Sequence, residues 1–424
     1  MNINEMDFSE YVYDISHFVI NAPGLNEPYR VKPEFIISID LSKNFDTNRL
    51  PYFAVTLNIP NALVRAIKAA KNTATVDLTI RYAKVMTDDG NTYAEAGESL
   101  RFKQYLSSRF LIFLDSTDIS GTESMERSYE KSEFDTMNYQ MDGQTGSVIT
   151  LVLYNEKYLR GSNKISYGTL SGANMTDVIA YLCSNAGIDN ILFSPVTSGN
   201  IPSQFVIPPM TLFDQLEYLQ KEFSIHKNGT TVFFDLERAY IIERDASCTA
   251  YATNEYKKTY IISASNIDAK WGSSAGCYDN NTEKYYACTI LGTSIPINDD
   301  SAITEHTMGN NLVYVDSATG ETYNINGASG GTNGVVYGVK NTNNYTAIQH
   351  KIQESVNIIT IMLQSVNLNS LTPNKEFVLL HANKNKVFES TSYRLSVLNL
   401  SFARTGKFYN VNAVCTLKST QSRK

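Results

Sequence analysis

The chain has 424 residues, more than one core ordinarily organises, and that length predicts two to four units of about 100 to 200 residues each. Charged residues make up 19% and the formal net charge is −7 with no long Lys/Arg stripe, which argues against a nucleic-acid binder working through phosphate contacts. Aromatic residues reach 11%, with 27 Tyr against 1 Trp, as expected of a β-rich protein with extensive interfaces.

Cys183, Cys248, Cys277, Cys288 and Cys415 are odd in number and form no CxxC pair, so neither a disulfide framework nor a zinc site is predicted. A reducing cytoplasm is the expected setting for folding. Residues 1–10 carry Glu5, Asp7 and Glu10 without a basic region followed by an apolar one, so no signal peptide is expected. No apolar run reaches the ~20 residues that a membrane helix needs.

Alternation predicts strands at residues 31–40, with Phe35, Ile37 and Ile39 in one phase, and at 50–59, with Phe53, Val55, Leu57 and Ile59 facing one way. The intervening SKNFDTNR reads as a polar turn. A short helix is predicted over 61–70 after Pro60, with Leu63, Val64 and Ile67 at helical spacing, then a strand over 75–84 through Val76, Leu78, Ile80 and Tyr82. Asp88-Asp-Gly-Asn91 marks a hairpin turn; residues 93–108 are less regular, and the strand signal resumes at 110–114. Residues 116–135 hold six carboxylates and read as an exposed excursion, and 147–154, SVITLVLY, is the strand expected to complete a first barrel.

A helix is predicted over 171–187, with Met175, Ile179, Leu182, Cys183 and Ala186 on its core face and Gly187 ending it. On that stripe Cys183 reads as a buried inert thiol rather than a nucleophile. The stretch 201–244 is the organising element of the centre. Pro208 and Pro209 stop any helix upstream, and Thr211 with Asp214 makes a capping-box-like start. Phe213, Leu216, Leu219 and Phe223 form an apolar stripe opposite Gln215, Glu217, Gln220 and Lys221. Asn228-Gly229 is a type I′ turn pair, predicted to join a strand at 223–225 to one at 232–236, with 239–242 extending the sheet after a turn at Glu237 and Arg238.

Residues 268–326 alternate short strand candidates with polar turns, and 327–338, with five glycines, reads as a loop or linker. A short helix is predicted at 344–355 and an extended segment at 356–366. Strands at 377–381, 393–400 and 408–417 are expected to make a second barrel.

The order Pro-Pro, short amphipathic helix, Lys-Asn-Gly turn, Phe-Phe-Asp and Tyr-Ile-Ile resembles the middle domain of central hub proteins in phage tail baseplates. Leu371-Thr-Pro-Asn-Lys-Glu-Phe377, Tyr393-Arg-Leu395 and Phe402-Ala-Arg-Thr-Gly-Lys-Phe408 resemble the strands that close such hubs. The chain is thus similar to the baseplate hub family of contractile-tailed bacteriophages and related phage-tail-like particles. That resemblance implies an α+β, mainly β fold with two tail-tube-like β-barrel domains, a central α+β domain and inserted loops. The expected units are an N-terminal barrel at 1–155, a central α+β domain at 156–245, a β-rich connecting region at 246–343, and C-terminal strands at 344–424 completing the second barrel.

The resemblance also implies a homotrimer in the virion baseplate, assembled in the host cytoplasm. Its partners would be the tail tube protein, the spike, neighbouring baseplate proteins and the tape measure protein. No enzyme activity, cofactor, metal site, membrane insertion or sequence-specific nucleic-acid binding is expected.

Two arrangements invite a catalytic reading, and two more a metal or phosphate site. His226 and Asp235 flank the Asn-Gly turn, but a hairpin brings such residues together by geometry alone and no GxSxG nucleophile accompanies them. His226→Ala is therefore expected to leave folding intact, whereas Leu216→Asp or Phe234→Asp should abolish it. Glu123, Glu126, Glu130, Glu133 and Asp135 could supply the two carboxylates of a glycosidase, yet few apolar residues accompany them to raise a pKa. His17, His306, His350 and His381 show no metal-ligand spacing, and GASGGTNG lacks the Gly-Lys-Ser/Thr ending of a phosphate loop. A tail-associated cell-wall hydrolase and a tyrosine-rich carbohydrate-binding tail protein stand as alternatives to the structural hub.

Overall fold

The structure is a computed structural model that describes residues 10–46, 49–85, 100–113, 146–196, 201–226, 230–243, 259–264, 274–279, 284–293, 313–316, 322–324, 336–339, 358–373, 376–383 and 386–419. The acidic stretch 116–135, the turns at 88–91 and 228–229 and the helix expected at 344–355 lie outside them.

The N-terminal strands are β1 (Glu10–Asn21), β2 (Tyr29–Arg30), β3 (Ile36–Asn44), β4 (Tyr52–Pro60), β5 (Thr75–Val85), β6 (Lys103–Phe113) and β7 (Gly146–Asn155), with helix α1 (Asn61–Ala69) after β4. Period-two burial is clearest on β4, where Phe53, Val55, Leu57 and Ile59 are all fully buried. Burial of each such side chain stabilises by about 1.5 to 3 kcal/mol relative to exposure. Leu63, Val64 and Ile67 bury one face of α1.

On β3 the expected phase breaks. A register shift between Ile36 and Ser38 turns Ile37 outward, 54% exposed, and leaves Ile36, Ile39 and Leu41 inside. β6 begins at Lys103, well before the expected start at 110, because Lys103, Gln104, Ser107 and Arg109 are outward residues that mask the inward pair Leu106 and Phe110.

The centre contains α2 (Glu156–Ser162), β8 (Ile165–Ser171), α3 (Met175–Asn185), β9 (Ile191–Phe193), β10 (Gln204–Thr211), α4 (Leu212–Phe223), β11 (Thr230–Phe234) and β12 (Ala239–Glu243). Asn174 and Asp177 form a reciprocal capping box on α3, and Gly187, at φ 72°, follows its C-cap. Thr211 caps α4 as expected, accepting from the Asp214 N–H.

Pro208 and Pro209 lie within β10, at a register shift against β8 between Ile207 and Met210, where missing amide protons leave no orphaned ladder bond. Residues 223–225 are not a strand. α4 runs through Phe223, and Ser224 closes it in the left-handed region at φ 57°. The hairpin is β11–β12, turned at Asp235–Arg238, and β9 adds to it in parallel.

Gln215 corrects the predicted polar face of α4. It is 1% exposed, and its amide donates to the carbonyls of Ser166 (2.7 Å) and Pro208 (2.8 Å). The buried face is Leu212, Gln215, Leu216 and Leu219, while Phe213 and Phe223 are half-buried beside it.

Further along are β13 (Thr259–Ala264), β14 (Ser274–Asp279), β15 (Lys284–Thr293), β16 (Val313–Asp316), β17 (Thr322–Asn324), β18 (Val336–Val339), β19 (Ile358–Gln364), β20 (Glu376–Asn383), β21 (Lys386–Thr405) and β22 (Phe408–Ser419). Val336–Val339, expected to be loop, pairs in parallel with β16.

Strand pairing closes two circuits. The first runs β1-β5-β6-β7-β4-β3-β21-β22 and back to β1 through Tyr13 and Tyr409, an eight-stranded barrel. β7 therefore does not complete this barrel; the C-terminal hairpin does. The second circuit runs β22-β19-β15-β14-β13-β20-β21, and the two share the β21–β22 pair. A strand of 20 residues permits this: residues 376–383 pair along the first part of β21 and residues 39–44 along the later part. One continuous core accordingly joins Phe53 and Phe110 to Phe402, Leu417 and Ile361.

Candidate functional site

The most unusual chemistry among the described residues lies at 43–46, which the sequence presents as part of a polar turn. Alternation along β3 carries Ile39 and Leu41 inward, and the same phase puts Lys43 inward at the strand's end, 4% exposed. A buried ammonium requires a partner. Lys43 Nζ meets Asp235 Oδ1 at 2.6 Å and donates to the Tyr105 hydroxyl at 3.4 Å. Burial works against the ammonium, but the carboxylate and the phenol outweigh it and hold the Lys43 pKa above the ordinary lysine range. Burial raises the Tyr105 pKa, and likewise pushes Tyr240 up to about 12 with help from Asp235.

Asp235 also shapes its own turn. Its Oδ1 accepts from Leu236 N–H at 2.8 Å, and its N–H donates to Arg238 O at 2.8 Å. Next to it, the Phe45 ring meets Phe233 edge-on at 5.3 Å, and Phe233 stacks on Tyr240 at 4.7 Å.

The backbone then turns toward the C-terminal hairpin. Phe45 N–H donates to Ser396 O at 2.8 Å, and Asp46 pairs with Arg394 at 2.5 Å, with Lys418, and with the Ser396 hydroxyl. Burial opposes the Asp46 carboxylate, yet Arg394 and Lys418 hold its pKa well below the usual range. Lys43, Phe45 and Asp46 thus tie the first barrel to the central hairpin and to the strands shared with the second circuit. A lysine held protonated is neither nucleophile nor base, and a carboxylate pinned by two cations is no general acid; the arrangement suits holding parts together.

His226 and Asp235, weighed above as a catalytic pair and set aside, are each held by other partners. His226 is fully buried, with Nε2 3.0 Å from Ser194 Oγ and Nδ1 2.8 Å from Thr230 Oγ1. Thr230 in turn donates to Gln220, and Ser194 Oγ accepts from Glu243 N–H. Asp235 faces Lys43 instead. Cys183 is 1% exposed and burial pushes its thiol up to about 12, away from the reactive thiolate.

His17 is exposed on β1, His381 lies on β20, and His306, His350 and the carboxylates Glu123, Glu126, Glu130, Glu133 and Asp135 fall outside the described residues. Among the described residues no three His, Cys, Asp or Glu side chains are placed to hold a metal, and no helix is long and apolar enough to cross a membrane.

A cleft of about 380 Å³ lies between β6, the start of α2 and the Asp189–Asn190 segment. Its polar groups are engaged with one another: Lys157 with Asp189, Ser108 with Glu237, and Asn190 with the Glu237 carbonyl.

The chain is similar in structure to a tail protein from Neisseria meningitidis MC58, at 9% identity over 96% of both chains and a TM-score of 0.49. It is also similar to a 43 kDa tail protein of prophage MuSo2 from Shewanella oneidensis, at 11% identity over 94% of this chain and 97% of that one, TM-score 0.44. A third likeness is to an E. coli component of the type VI secretion system, at 8% identity over 93% and 76%, TM-score 0.42. No curated protein matches the sequence. The family described as the bacteriophage PBS1 gene 109 protein matches residues 3–420, and the chain belongs to that family.

Proposed function

We propose that the chain is a structural phage tail protein, the central hub of the baseplate, acting as a homotrimer that joins the tail tube to the spike. The observation that carries this reading is the fusion of two closed strand circuits through β21 and β22 in one chain of a phage protein family. Three copies would present six such circuits, so a threefold assembly could meet a sixfold tube on one side and a threefold spike on the other. The buried ion pairs at 43–46 support the same reading. They fix the barrel against the central unit, as a part that transmits load requires.

The role is non-enzymatic, its partners are the tube, the spike, neighbouring baseplate proteins and the tape measure protein, and its place is the virion tail. Three copies would carry a formal charge three times −7, and acidic groups toward the lumen would keep DNA from adhering. Light scattering on the purified chain tests the stoichiometry. Three chain masses agree with the hub, whereas a monomer at all concentrations that also fails to join tube or spike would overturn it.

A further inference from the structure

Helix α1 carries cations and no carboxylate on its outward side. Leu63, Val64 and Ile67 face the main core, whereas Arg65 and Lys71 are exposed and Lys68 is half-buried. Lys68 and Lys71 lie at the carboxyl end of the helix, where the peptide dipole favours cations, but Arg65 stands before the last turn and gains little there. On the strands of the same barrel Arg81 pairs with Asp14 and Arg109 with Asp77. Among the described residues Arg65, Lys68 and Lys71 form no ion pair.

Most of the chain's acid enters and leaves the barrel beside this helix. Residues 114–145, which connect β6 to β7, hold eight carboxylates against Arg127 and Lys131, a formal charge of −6 out of the chain's −7. Both ends of the connection are fixed next to α1. At one end Ile112 N–H donates to Ala74 O at 2.9 Å, just past the helix. At the other, Gly146 lies opposite Pro60, and the Ser147 hydroxyl bonds to the side chain of Asn61, the first residue of α1. The helix is about 14 Å long, far less than 32 residues reach. The barrel's other acidic connection, 86–99, leaves β5 at Val85, the end of that strand away from α1.

Charge and connectivity together select the occupant. Without 114–145 the chain is nearly neutral, so a second copy offers no comparable anion except this same connection. Held at both ends, its carboxylates stand at an effective concentration on the order of millimolar, above that of a separate protein in solution. We propose that the outward side of α1, at Arg65, Lys68 and Lys71, is the docking site for the acidic connection 114–145 of the same chain. A carboxylate paired there is held ionised, the reverse of what a glycosidase acid needs. The contact lies within one chain and does not rest on the homotrimer.

Carbodiimide coupling followed by mass spectrometry tests this on the unaltered chain, because the reagent joins an ammonium to a carboxylate only where the two are in contact. The expected products at low ionic strength join Lys68 or Lys71 to a carboxylate within 114–145, and they fall at about 1 M salt, which screens exposed pairs. No coupling from these lysines to 114–145 overturns the proposal. In a mixture of isotope-labelled and unlabelled chains, products shared between the two assign the contact to a second copy and overturn it as well. Trypsin gives an independent readout, since Arg127 and Lys131 lie in the connection. Arg65→Glu with Lys71→Glu should speed cleavage at those two sites about fivefold, as the loss of two exposed ion pairs implies, whereas Lys407→Glu in the β21–β22 turn should leave it unchanged. Thermal unfolding checks that each variant is folded, and the coupling result decides alone if the double variant is not. Equal cleavage of the wild type and a folded double variant overturns the proposal.

Discussion

Lys43 at the end of β3 and Asp235 in the β11–β12 turn meet at 2.6 Å, with Lys43 4% exposed and Asp235 18% exposed. The two sides of this pair are therefore unequal. Removal of the carboxylate strands an ammonium in the core, whereas removal of the lysine leaves a carboxylate that water can reach. Asp235→Ala is expected to cost about 3 to 5 kcal/mol and Lys43→Met only about 1 to 2 kcal/mol, read from denaturant midpoints. The Lys43 pKa is raised on folding, so this contribution is complete below the ~10.4 of an unfolded lysine and is lost as pH rises through the folded value. Stability in the Lys43→Met variant should accordingly fall less steeply above pH 10 than in the wild type.

Asp46 titrates in the opposite direction. Its pKa is depressed, so its contribution is present above the ~3.9 of an unfolded Asp and lost as pH falls through the folded value. Asp46→Asn should destabilise by about 2 to 4 kcal/mol at pH 7. Melting temperatures recorded from pH 7 down to pH 2 should draw steadily closer for wild type and variant toward the acid end. Parallel curves would show that the cluster with Arg394 and Lys418 does not hold the carboxylate ionised.

Gln215 offers a test of the central unit. Gln215→Leu keeps the side chain's bulk but leaves the Ser166 and Pro208 carbonyls without their donor, and should cost about 2 to 4 kcal/mol. Glu217→Ala, on the exposed face of the same helix, should stay within about 0.5 kcal/mol. Equal effects would mean that the helix contributes through propensity and not through this bond pair.

His226 is a structural side chain with more at stake than the sequence suggests. Its truncation to alanine vacates a buried site and breaks its bonds to Ser194 and Thr230, at about 3 kcal/mol. Burial lowers its pKa despite the Ser194 carbonyl and Glu243 nearby. The neutral ring is thus favoured on folding, and stability should be complete above pH ~6.5 and decline as pH falls below it. His226→Ala should abolish that part of the decline, as measured by thermal unfolding between pH 7.5 and 5.

What the sequence made legible follows strict local periodicity. Phe53, Val55, Leu57 and Ile59 announce β4, and Met175, Ile179 and Leu182 announce α3, because each repeat is uninterrupted over its whole element. Ile37 escaped because one bulged residue reverses the phase of everything before it. Gln215 escaped because its amide looks like a surface group until the prolines of β10 present a carbonyl that needs a donor. The junction at Lys43, Phe45 and Asp46 was invisible for a related reason: its partners Asp235, Phe233 and Arg394 are about 190 to 350 residues away, and no local pattern encodes pairing at that range. One signal was present. Lys43 continues the inward phase of Ile39 and Leu41, and a charge in that phase calls for a buried partner.

Closure of the first barrel by β21 and β22 was likewise non-local, since residues 39–44 pair with 397–402. In the hub proposed above, this fusion makes each chain a two-barrel unit of a threefold assembly. Electron cryomicroscopy of the assembled tail tip tests it most directly. The expected map has three copies around the tail axis between tube and spike, with the barrel closed by β21 and β22 and the circuit beside it alternating as six positions. A map that places the chain away from the axis, or on the axis in any number other than three, would contradict it.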